Sequence, residues 1–180
     1  EYWIMNFDLG RKVYLRGIVK KLQEISQLPP NKKILEIGCG NGIGTRLIHE
    51  YFKPSELIAT EYDESLVEIT KEKVNDINVL VEQANATKFR FADNEFEAVV
   101  GLSVIHHIPD WEKALDELHR IIKPNGLLII KELSIDTFST FFGKISRKFV
   151  EHPYDDMFTE KEFVDYLKQK GFKIEVLMPH

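Results

Sequence analysis

The chain has 180 residues, 43% of them hydrophobic and 29% charged, with a net charge of −5 and a single cysteine. That length suits one domain around one core, and the composition is globular rather than disordered. The negative balance disfavours a nucleic-acid partner, and Cys39 alone excludes an internal disulfide and any cysteine-cluster metal site, so no metal is expected.

The first residues carry no basic-then-apolar leader. The chain opens on Glu1 rather than Met, so some sequence before it is expected to be missing. Tyr14, Ile18, Leu22 and Ile25 recur at helical spacing up to Pro29-Pro30, which predicts a leading helix within residues 1–30. Five apolar runs follow, Lys33–Ile37, Leu57–Glu61, Val79–Gln83, Ala98–Ser103 and Leu127–Lys131, with amphipathic stretches between them. This alternation predicts a doubly wound α/β fold, a mostly parallel sheet with helices on both faces in three α/β/α layers. In the helix from Trp111, Ala114, Leu115, Leu118, Ile121 and Ile122 share a face, and Lys123-Pro124-Asn125-Gly126 turns the chain into the fifth strand. Even that strand's aliphatic run, Leu127–Ile130, is too short to span a bilayer, and a reducing, cytoplasmic location is expected. Thr159-Glu160-Lys161-Glu162 has capping-box spacing and opens a last helix ended by Gly171, and Ile174–Met178 reads as a sixth strand.

The first strand runs into Glu36-Ile37-Gly38-Cys39-Gly40-Asn41-Gly42-Ile43-Gly44, four alternate glycines at a strand-to-helix turn. Glycine lets a ligand approach the backbone and permits positive φ, and the helix N-terminus beyond offers free N–H groups. A tight turn would need only one or two of them. Glu36 ends a strand covered on both faces, where an unpaired carboxylate is costly; a helix terminus, a lysine or a ligand ammonium would satisfy it. Glu61 closes the second strand 23 residues after Gly38, near the interval at which an acid reaches ribose hydroxyls in nucleotide-binding βαβ units. The bland alternative is a solvated strand-end glutamate. Cys39 reads as a small packing residue within the loop.

The strings LEIGCGNGIG, ATEYDES, QANATKF, FEAVVGLSVIHHIPDWEKALDELHRIIKPNGLLII and TEKEFVDYLKQKGF resemble a class I S-adenosylmethionine-dependent methyltransferase from about Lys32 to Phe172. The resemblance implies S-adenosyl-L-methionine as cofactor and roles for particular residues. Glu36 and the loop of Gly38, Cys39, Gly40 and Gly42 would face its methionine part. Glu61 would hold the ribose hydroxyls, Tyr62 would pack on adenine, and Asn85-Ala86 would read the adenine edge, with Ser103 completing the site after the fourth strand. Asn85 stands where the family commonly has Asp, and Glu97 stands where Asp is usual after Phe96. His107, ahead of His106, is placed to act as a base on the acceptor, with packing or hydrogen bonding as the alternative for both.

The resemblance divides the single domain into a helical segment at 1–30, a cofactor-binding core at 31–136, an acceptor-side cover at 137–158, and a last helix and strand at 159–180. No candidate for the fold's usual closing antiparallel strand follows Met178, as in a truncated copy. Within the cover, Phe138, Phe141, Phe142, Ile145 and Phe149 fall at helical spacing beside Lys144, Arg147 and Lys148. A packed helix, a lid for an apolar or aromatic small-molecule acceptor, and a contact with an anionic membrane surface are its three readings. Two rival functions remain: a silent methyltransferase-like partner subunit, and a nicotinamide-dependent oxidoreductase. For the latter the G-x-G-x-x-G spacing fails, because Ile43 or Thr45 falls at the third glycine. The acceptor atom and the oligomeric state are not written in the sequence.

Overall fold

A computed structural model describes residues 8–139 and 154–175. Helix α1 (Asp8–Ser26) leads into β1 (Lys33–Ile37), α2 (Ile43–Phe52), β2 (Glu56–Glu61), α3 (Glu64–Lys73), β3 (Leu80–Gln83), β4 (Phe96–Leu102), α4 (Trp111–Ile121), β5 (Ile122–Lys131) and α5 (Glu160–Gln169). Short 3₁₀ turns occupy Ile105–His107, Ile135–Ser139 and Tyr154–Asp156. The five strands form one parallel sheet in the order β3-β2-β1-β4-β5. This is the doubly wound α/β architecture read from the alternation of apolar runs.

Strand side chains alternate between the faces, and each face is roofed by helices. Ile34, Leu57, Ala98, Val100 and Ile129 pack with Val19 and Leu22 of α1 and Leu47, Ile48 and Phe52 of α2. Leu35, Ile37, Ile58 and Val99 pack on the other face with Leu115, Leu118 and Ile121 of α4 and Phe163 and Leu167 of α5. Burial on both sides is why these strands read as continuous apolar runs rather than alternating ones. The connections reverse direction between β1 and β4, so the C-terminal ends of those two strands border the crevice where doubly wound sheets bind ligands.

Several local expectations are corrected. Tyr14 is exposed, and the buried stripe of α1 runs through Leu15, Ile18, Val19 and Leu22. Ile122 is not the end of the α4 face but the first residue of β5, paired with Phe96. The predicted turn at 123–126 is a bulge within that pairing, with the register shift between Phe96 and Ala98 and Asn125 at φ +64°. Glu97 is tied to the opposite end of the sheet from the glycine loop. It accepts the Lys33 N–H at 2.9 Å and the Lys123 ammonium at 2.5 Å, which uses the reach of its longer side chain.

The capping box is present: Thr159 Oγ1 accepts from the Glu162 N–H, and Glu162 Oε2 from the Thr159 N–H. Residues 172–175 form no strand, and 176–178 of the expected sixth strand lie outside the described residues. So do 140–150 of the aromatic segment, of which Phe138 is buried in the Ile135–Ser139 turn. Among the described residues no helix is long and apolar enough to cross a membrane, and no cluster of His, Cys, Asp and Glu is arranged to hold a metal.

Candidate active site

The predicted residues gather at the C-terminal ends of four neighbouring strands. β1 delivers Glu36 and the glycine loop, β2 Glu61 and Tyr62, β3 Asn85 and Ala86, and β4 Ser103, His106 and His107. Gly38, Gly40 and Gly42 take φ of +65°, +55° and +80°, and Gly42 caps α2 without help from a side chain. At Gly38 the requirement is double. A Cβ there would sit 2.7 Å from Val104 Cβ, and φ is positive as well, so any other residue would force apart the loops that follow β1 and β4.

Glu36 is 1% exposed, and its Oε2 has no hydrogen-bond partner among the described residues. A Cβ on Gly44 would lie 2.8 Å from Glu36 Oε1, so the fourth glycine makes room for this carboxyl at the start of α2. Burial pushes the Glu36 carboxyl up to about 8. The neighbouring Thr45 hydroxyl counteracts this in part, short of an ordinary hydrogen bond, and the charge of Glu61 adds to it.

Glu61 joins the loop to β2. Its Oε2 accepts the Gly40 N–H at 2.9 Å, and its Oε1 accepts from the N–H groups of Tyr62 (2.7 Å) and Asp63 (3.3 Å). Oε1 is thereby filled, and Oε2 keeps a lone pair for a further donor. The Tyr62 ring beside it is 71% exposed.

Asn85 Oδ1 accepts from the N–H and hydroxyl of Thr87 at 2.9 and 2.8 Å, an Asx turn that leaves the amide NH₂ as its spare group. No described group accepts the Ala86 N–H. The Cys39 side chain faces away from the loop's open side. It packs among Ala59, Val67, Val74 and Val81, its thiol pushed up to about 12 chiefly by burial, as befits a packing residue.

Beyond β4 the chain turns sharply. Ser103 holds φ +61°, donates its N–H to Lys131 O at 2.7 Å and accepts the Lys131 ammonium on Oγ at 3.0 Å. The two histidines then part company. His106 is buried with Nδ1 2.7 Å from Glu132 Oε2, whereas His107 is exposed, its ring centroid 4.2 Å from that of His106. Glu132, directly after β5, is the member that the sequence reading missed. A cavity of about 680 Å³ lies elsewhere, between α1, α2, the end of α3 and the segment after it, and of the predicted site residues only Gly42 borders it.

A family model described as a methyltransferase domain matches residues 35–130. A demethylmenaquinone methyltransferase of Staphylococcus carnosus (strain TM300) is 29% identical over 174 residues, 94% of this chain and 70% of that protein. Its counterpart in Staphylococcus aureus (strain JH9) is 30% identical with the same coverage. A solved S-adenosylmethionine-dependent methyltransferase of Mesorhizobium loti superposes with a TM-score of 0.73 at 17% identity, over 90% of this chain and 84% of that one. Another, from Aquifex aeolicus, gives 0.70 at 22% identity, over 86% and 79%. At those identities the two structures speak for the fold alone. Neither the silent-subunit nor the nicotinamide reading finds support among these relatives. With the parallel sheet, the glycine loop and the matched model in agreement, the chain belongs to the class I, Rossmann-like, S-adenosylmethionine-dependent methyltransferases.

Proposed function

We propose that the chain binds S-adenosylmethionine at the ends of β1, β2 and β3 and methylates, by direct displacement, a small apolar acceptor of the demethylmenaquinone class. The observation that carries this reading is the Glu36 carboxyl, buried and missing a partner on Oε2 beside a loop that glycine keeps open. A buried carboxyl in that state calls for a cation, and an amino-acid ammonium is one that the glycine loop can admit. Bound there, the cofactor supplies a methyl group made electrophilic by its sulfonium.

The chain's own residues do the rest. Glu36 takes the ammonium, and Glu61 offers the remaining lone pair of Oε2 to a ribose hydroxyl while steadying Gly40. Tyr62 covers the adenine face. The Ala86 N–H donates to an acceptor nitrogen on the adenine edge, and the Asn85 amide NH₂ is available beside it. Ser103 and the turn after it border the methyl-bearing end, where alignment to about 3 Å and exclusion of water are the main catalytic demands.

The named acceptor of the Staphylococcus relatives guides the choice of substrate. On a reduced naphthoquinone ring the accepting atom is a carbon that carries a proton. As the new carbon–methyl bond forms, that proton must leave, and His107 receives it. The aromatic residues within 140–150, which lie outside the described residues, are assigned to acceptor binding in this reading. Replacing Phe141 and Phe142 with Ser should raise KM for the acceptor and leave cofactor affinity unchanged.

The test is incubation with methyl-labelled S-adenosylmethionine and a short-chain demethylmenaquinol. The expected products are the methylated quinol and an equal amount of S-adenosylhomocysteine. Absence of labelled quinol, with cofactor bound, would refute the acceptor class.

A further inference from the structure

Glu132 follows a strand end, Lys131, that pairs with Leu102 at the end of β4, and its carboxylate reaches across to the turn beyond β4. One oxygen accepts the N–H groups of Val104 at 2.9 Å and Ile105 at 3.0 Å. The other accepts the His106 N–H at 3.4 Å and meets His106 Nδ1 at 2.7 Å. Both side chains are removed from water, His106 at 1% and Glu132 at 8% exposure. A carboxylate has only acceptors to offer, so His106 Nδ1 carries the proton toward it and the ring is held in one tautomer and one orientation. This arrangement reaches both halves of the active site. Val104 abuts Gly38 of the cofactor loop, and the His106 ring packs on that of His107.

We propose that Glu132 is the positioning residue of the acceptor side. It fixes the 104–106 backbone and the His106 tautomer, and through His106 it sets the ring of His107 for methyl transfer, without touching the cofactor. The proposal rests on the functional reading above, in which the turn after β4 borders the acceptor.

Glu132→Gln is the informative variant. An amide oxygen in place of Oε1 keeps the Val104 and Ile105 bonds, whereas an NH₂ facing His106 Nδ1 requires that nitrogen to accept and moves the ring proton to Nε2. Three measurements on the full chain score it: S-adenosylmethionine affinity by calorimetry, turnover with short-chain demethylmenaquinol, and the His106 tautomer by long-range ¹⁵N–¹H NMR. The expected result is affinity within threefold of wild type, turnover at least tenfold lower, and a switch from Nδ1–H to Nε2–H. Undiminished turnover, cofactor affinity falling in step with turnover, or a wild-type His106 protonated on Nε2 overturns it. Should wild type fail to methylate the quinol, the acceptor reading falls separately. In that event the wild-type tautomer, its switch in the variant and the retained cofactor affinity still decide for or against Glu132.

Discussion

Replacing Glu36 with Gln should make the ligand-free protein more stable in alkali and poorer at holding its cofactor. The carboxyl's ordinary value is 4.5, and burial in the fold raises it to about 8. Between those limits the folded state keeps a proton that the unfolded chain has released, so stability falls as pH rises from 4.5 and the loss is complete above about 8. At ~1.4 kcal/mol per pH unit, the full gap amounts to about 5 kcal/mol. The amide introduced by Glu36→Gln is neutral throughout, nearly the same size, and lacks this slope. Urea unfolding at pH 5, 7 and 9 reads the effect as a midpoint falling more steeply with pH for wild type than for Glu36→Gln.

Cofactor binding adds a second signature. An ammonium beside Glu36 favours the carboxylate, so binding at pH 7 should release close to one proton, seen as a calorimetric enthalpy that depends on the buffer's ionisation heat. Glu36→Gln should release none and bind more weakly. Parallel unfolding curves for the two proteins across pH, with proton release unchanged in the variant, would refute the account of Glu36.

Three further outcomes are expected. His107→Gln should lower turnover by about 10² while cofactor affinity holds, read from steady-state rates and calorimetry; full activity would return His107 to a packing role. Gly44→Ala should cost about 1–3 kcal/mol in urea unfolding, because the new Cβ would lie 2.8 Å from Glu36 Oε1 and 3.0 Å from Leu102 Cδ1 in a fully packed site. Thr159→Ala should cost about 1 kcal/mol through loss of its half of the capping box on α5, measured the same way.

The parts of the fold legible in the sequence are those set by local pattern. The strands β1, β2, β4 and β5 announced themselves as apolar runs because they are packed between helices, the edge strand β3 showed only a short one, and the glycine loop was legible because its demands fall within a few residues. Glu61 was legible through its interval from Gly38. What escaped depends on contacts between distant segments. Glu132 reads as an ordinary polar residue after an apolar strand, and only the pairing of β5 with β4 brings it to His106. Tyr14 fitted the helical period as well as its neighbours did, yet α2 packs on the adjoining stripe and leaves Tyr14 in water. The α4-to-β5 junction was placed late because the bulge opposite Phe96 lets turn-forming residues sit inside a strand. Asn85 was legible in position but not in use, since its oxygen is engaged by Thr87 rather than left for a ligand.

The central claim, a cofactor bound across the glycine loop and the end of β2, is tested most directly by titrating S-adenosylmethionine into wild type and Glu61→Ala. Wild type should bind at one site per chain. The variant, lacking the carboxylate that accepts the Gly40 N–H and that we propose holds the ribose, should bind more weakly by about 1–3 kcal/mol. No binding to the wild type, or equal binding to both, would contradict it.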